Sequence, residues 1–126
     1  MPEHFLALIK QRANLASNSE AERTATAFVS SLAATLDESI FCRINYYLPD
    51  YLQMPSKRQF FLHRKKEDKQ FNQHIFLDRI VHTLKLTDRV EAENRVSGVL
   101  YALTIIQPML KEQLSPSIPT NLNEYW

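Results

Sequence analysis

His74, Asp78 and His82 follow one another at four-residue spacing, which places two imidazoles and a carboxylate on one face of a helix. Such a face holds the donor types of a zinc site. Distance argues against one. Positions i and i+8 lie about 12 Å apart along a helix. One ion with ligands at about 2 Å cannot take both histidines. Either His with Asp78 offers two ligands, so no metal or other cofactor is expected. The set reads instead as a polar, solvated face. Cys42 is the single cysteine. A reactive thiolate needs a base or cation beside it. Arg43 is next in sequence but points to another face of a helix, so a packed thiol is expected. Glu20, Glu22, Glu91 and Glu93 are candidate paired carboxylates, yet each pair falls in the first turns of a helix, where negative charge is favoured without catalysis. No nucleophile elbow, phosphate loop or metalloprotease helix is present in the sequence.

The basic concentration lies elsewhere. Lys57, Arg58, Arg64, Lys65, Lys66 and Lys69 crowd together, interleaved with Phe60 and Phe61. Cations with aromatics can grip phosphates and stack bases. The same set can meet an acidic protein surface, or serve as a solvated linker with its aromatics on the core. Tyr46, Tyr47, Tyr51, Tyr125 and Trp126 are further candidates for a contact surface.

Helices must position all of these. The central one is predicted over Asp88–Ile106, with Ala92, Val96, Val99, Leu100, Leu103 and Ile106 in one apolar stripe. Asp88 and Glu91 form a capping-box pattern at its start. Ser17–Leu36 has the same design, with Ser17 and Glu20 as cap and Ala21, Ala25, Phe28, Val29 and Leu32 as stripe. A first helix is predicted over Glu3–Leu15, before a polar break at Asn14–Asn18. A third is predicted over Glu38–Leu48, capped by Asp37 and stopped by Pro49, with a further turn at Asp50–Gln53. A fourth covers Asn72–Leu86, and a sixth begins at Pro108, with Met109, Leu110 and Leu114 inward.

The chain is 126 residues long, 44% hydrophobic and 23% charged. That is a globular composition of one domain. A net charge of +1 gives no overall pull toward nucleic acid or membranes. One cysteine excludes an intrachain disulfide and suits a reducing cytoplasm. One glycine argues against hairpins and glycine-rich phosphate loops. The N-terminal stretch has no basic region before a long apolar core, so no secretory signal is expected. The apolar run Gly98–Ile106 is far below the roughly 20 residues of a membrane span.

A shift of 71 positions lays the chain on itself (76 − 5 = 71). Phe5 falls on Phe76, Leu6 on Leu77, Ile9 on Ile80, Glu20-Ala21-Glu22 on Glu91-Ala92-Glu93, and Leu32 on Leu103. With one residue deleted, Leu48-Pro49 falls on Ile118-Pro119. Helical periodicity alone aligns apolar with apolar; it does not also align a cap and a Glu-Ala-Glu. The reading is a duplication of a three-helix unit too small to bury its own stripe. The small residues Gly98 and Ala102, matched by Ala27 and Ser31, predict close approach of another backbone.

This pattern resembles a bacterial family known as domain of unknown function 2267. Phe5-Leu6 and Phe76-Leu77, the two Glu-Ala-Glu triplets, the hydrophobic-Pro pairs and the charged connector carry the resemblance, over nearly the whole chain. It implies a compact all-helical fold of two related halves and brings no catalytic residue.

The sequence thus predicts an all-α fold of two pseudo-symmetric three-helix repeats packed into one bundle. Residues 1–126 form a single domain: a first repeat over 3–53, a basic connector over 54–71 and a second repeat over 72–126. The expected function is a non-enzymatic protein–protein interaction or adaptor module. Its partner is a protein, of acidic chemistry if the connector is the contact. Self-association stays open, and nucleic-acid or phosphate binding through the connector is the alternative reading.

Overall fold

The structure, a computed structural model, describes residues 2–36, 38–53 and 73–114. Every regular element among them is helical. In chain order they are α1 (Glu3–Ala13), α2 (Asn18–Thr35), α3 (Glu38–Tyr47), a 3-10 turn (Asp50–Leu52), α4 (Gln73–Leu84), α5 (Arg89–Ile106) and α6 (Pro108–Leu114). Among the described residues no helix is long and apolar enough to cross a membrane.

The two long helices start in the same way. The Ser17 side chain accepts from the Glu20 amide at 3.2 Å, and Glu20 Oε2 accepts from the Ala16 amide at 3.1 Å. Asp88 accepts from the Glu91 amide at 3.0 Å, and Glu91 Oε2 from the Thr87 amide at 3.1 Å. These satisfy amides that have no partner inside the helix. Glu20 and Glu91 are therefore capping residues, as their position implies, whereas Glu22 and Glu93 lie past the first turn of their helices.

α1 and α4 end alike as well, and earlier than the periodicity predicts. Asn14 at φ 58° and Lys85 at φ 55° turn left-handed. The Leu15 amide then donates to the Lys10 carbonyl at 3.0 Å, and the Leu86 amide to the Val81 carbonyl at 2.9 Å. This is a Schellman ending, which reverses the chain and frees it for the next helix. Leu48-Pro49 stops α3 as predicted, and the Leu52 amide closes the turn on the Pro49 carbonyl at 2.8 Å. The proposed cap at Asp37 lies outside the described residues.

The predicted stripes form one core. Phe5, Ile9, Phe28, Leu32, Phe76, Ile80, Leu100 and Leu103 are all buried. Phe28 and Phe76 meet edge to face at 5.8 Å, joining α2 to α4. Phe5 packs on Tyr51 at 5.3 Å, and burial pushes the Tyr51 hydroxyl pKa up. Pairing runs across the chain: α1 lies against α5 and α4 against α2, while α3 meets α6. Met109 departs from expectation. It is 56% exposed, because its neighbour Leu110 fills the inward position of the short α6. The Leu114 side chain lies outside the described ones.

Gly98 marks the tightest crossing. A Cβ there would sit 2.9 Å from Ala13 Cβ and 3.2 Å from the Ile9 carbonyl oxygen. The bare Cα lets α1 close onto α5, the use of a small residue that the sequence predicts. Polar contacts stitch the same crossing. Asn94 donates to the Ala13 carbonyl at 2.9 Å, Arg12 Nε donates to Ser97 Oγ at 3.2 Å, and the Arg12 guanidinium lies 5.8 Å from the Tyr101 ring centroid.

Candidate functional site

The His74, Asp78 and His82 face is solvated, as its spacing suggests, but two of its members have a task. Arg89 at the start of α5 reaches back to α4. Its Nε and Nη2 donate to the two Asp78 oxygens at 2.7 and 3.0 Å. Its Nη1 lies 3.1 Å from His74 Nδ1. The bidentate hydrogen bond from Arg89 holds the Asp78 carboxyl below the usual aspartate pKa, with His74 adding a little in the same direction. Both partners are about half exposed, so the bridge orients the α4–α5 turn more than it stabilises the fold. His82 is exposed one turn further on. Among the described residues no three metal-binding groups converge. Cys42 is half-buried on α3.

The connector residues Lys57, Arg58, Phe60, Phe61, Arg64, Lys65, Lys66 and Lys69 lie outside the described residues, as do Tyr125 and Trp126. Of the other aromatic candidates, Tyr46 is 74% exposed and stacks edge-on with half-buried Tyr47 at 5.3 Å, while Tyr51 seals the core beside Phe5. Ile75, Val90 and Ile105 are further large apolar side chains left in solvent.

An open groove of about 430 Å³ runs between α2 and α4. Glu22, Arg23, Thr26 and Ser30 of α2 face Thr83 and Leu84 of α4 across it, and Ala27 lies on its floor. Thr26 donates its hydroxyl proton to the Glu22 carbonyl at 2.9 Å, which leaves its oxygen lone pairs to the groove. Glu22 and Arg23 are exposed and form no ion pair among the described residues. Periodicity could not reveal this site, because stripe analysis finds what is buried and not what is left open. The signal that does find it is the size of the residues at matched positions. Ala13 and Gly98 cross in close contact, whereas the residues 71 positions away, Leu84 and Ala27, are each larger. Both Leu84 and Ala27 line the groove. No family model, curated protein or solved structure matches the chain.

Proposed function

We propose that the chain is a non-enzymatic interaction module built by duplication of a three-helix unit. Four features recur at a separation of 71 residues and support the duplication: the capping boxes at Ser17 and Asp88, the left-handed residues Asn14 and Lys85, the Schellman bonds that follow them, and the buried Phe5 and Phe76. Arg95 donates to Thr24 at 3.2 Å, and these two are themselves 71 apart. A residue touching its own counterpart fits a pseudo-twofold axis passing between them. The crossed pairing of α1 with α5 and α4 with α2 has the same symmetry. Kinship with the domain of unknown function 2267 family belongs to this proposal, and the duplicated all-helical pattern supports it.

The observation that carries the interaction reading is the α2–α4 groove, with the exposed charges of Glu22 and Arg23 on its rim. The groups that promised chemistry serve the architecture instead: Glu20 and Glu91 cap helices, and Asp78 ties Arg89. The basic connector, Lys57 to Lys69, supplies a second contact, for a protein partner with an acidic surface in the cytoplasm.

A capture experiment from native cytosol, with and without nuclease, tests the module. The expected result is a nuclease-resistant protein partner that is lost on Lys65→Ala with Lys66→Ala, while circular dichroism stays unchanged. Exposed charges contribute little to stability, so the fold should tolerate the change. Tight binding of random oligonucleotides that weakens steeply with salt, with a slope flattened by about two phosphate contacts in the double variant, would favour the nucleic-acid reading instead.

A further inference from the structure

We infer that the α2–α4 groove binds a partner segment carrying an arginine beside an aromatic side chain. The inference rests on the duplication proposed above. Each half then has one crossing of a long helix by the other half's first helix, α1 on α5 and α4 on α2. The first crossing shows what fills such a site. Arg12 places its guanidinium on Ser97 Oγ and over the Tyr101 ring, and Asn94 holds a backbone carbonyl. At the matched positions the second crossing has Thr83 for Arg12, Ser30 for Tyr101, Thr26 for Ser97 and Arg23 for Asn94. The guanidinium and the ring are both gone, and the volume they would occupy is the groove.

What remains matches the missing pair. Thr26 keeps a hydroxyl oxygen able to accept from an incoming guanidinium, as Ser97 does from Arg12. The Glu22 carboxylate beside it adds an acceptor of opposite charge, and a planar guanidinium suits such a set better than an ammonium. Arg23 stands where Asn94 stands and offers donors to a backbone carbonyl of the segment. The space above Ser30 and Leu84 takes the aromatic ring, which lies under the guanidinium as the Tyr101 ring lies under Arg12.

The probe is N-acetyl-arginyl-tyrosinamide, titrated into the isotope-labelled full chain and followed by amide chemical shifts. Saturable shifts should appear at Glu22, Thr26, Ser30 and Thr83, with the lysyl analogue weaker by about fivefold, and Glu22→Gln should weaken the arginyl probe to a similar degree without lowering the melting temperature. No shifts in the groove at millimolar probe, or equal binding of the lysyl analogue, would overturn the inference. A second variant, Ser30→Tyr with Thr83→Arg, restores the missing pair within the chain. It should abolish probe binding and raise the melting temperature. Probe binding that survives in this variant would place the ligand elsewhere and also overturn the inference. If the wild type ignores the probe while the variant is still stabilised, the ligand assignment fails and the duplication stands. A captured partner that still depends on Lys65 and Lys66 would likewise leave the module reading in place.

Discussion

Gly98 is where a single hydrogen atom decides how near two helices lie. A methyl group there meets Ala13 Cβ at 2.9 Å and the Ile9 carbonyl at 3.2 Å, and neither can swing aside. Alanine gains about 1 kcal/mol of helix propensity over glycine, while overpacking a core contact costs about 1–3 kcal/mol. Gly98→Ala should therefore lose stability in urea melts, by about 1 kcal/mol net. Adding Ala13→Gly removes the nearer contact and should recover part of the loss. A stabilised Gly98→Ala would mean that α1 shifts freely on α5. Ser31 is the reverse case. Its hydroxyl is buried with no hydrogen-bond partner among the described residues, and the position 71 further on is already Ala102. Ser31→Ala should gain up to about 1 kcal/mol, since it removes a desolvated group and no bond; an equal loss would reveal a hidden partner. Asp78 gives a pH signature. Its carboxyl is held low by Arg89, so its contribution is present above the unfolded aspartate pKa and is lost as pH falls through the lower folded value. The carboxyl carbon should titrate below the ordinary aspartate midpoint near pH 4. In Arg89→Met that midpoint should move up, and no movement would mean that the bridge does not persist in solution.

At the scale of elements, helix starts were legible and helix ends less so. Ser17 with Glu20, and Asp88 with Glu91, are side-chain signals written in the sequence, and both cap as read. The ends of α1 and α4 depend on a left-handed backbone that glycine usually signals. Here Asn14 and Lys85 adopt it, so the apolar period ran on to Leu15 and Leu86 and hid the turn. Asparagine tolerates this conformation; lysine is strained there by about 1–2 kcal/mol. Lys85→Gly should relieve that strain, less about 0.4–1 kcal/mol for the greater freedom of glycine in the unfolded chain. A small rise in thermal midpoint is expected, larger than for Asn14→Gly. A fall at position 85 would show that the lysine side chain makes a contact worth more than its strain. Met109 was misplaced for another reason. Periodicity fixes a face only over several turns, and α6 offers two, so Leu110 took the inward place. The groove escaped for a reason of the same kind: it is lined by residues on two helices far apart in sequence, which no single stripe records.

Among the described residues, the helices before the connector pack mainly on the helices after it. α1 is buried by α5 and α4 by α2, so each half supplies the surface that covers the other. Phe28 of the first half meets Phe76 of the second at 5.8 Å, and Asn94 of the second closes the end of α1 in the first. A half on its own would leave Phe5, Ile9 and Leu32, or Phe76, Ile80 and Leu103, without their partners across the core. Helices of this length are marginal alone in water, and three of them expose most of the apolar surface that folding must remove. Separate chains of residues 1–53 and 72–126 should each show weak helical circular dichroism and no cooperative melt. Mixed in equal amounts, they should form a one-to-one complex that recovers the helical signal and a sigmoidal transition. Its midpoint should rise with concentration, as association replaces an intramolecular contact. Cooperative melting of either half alone, without self-association, would show that each half closes its own core and that packing between the halves is not what holds the fold.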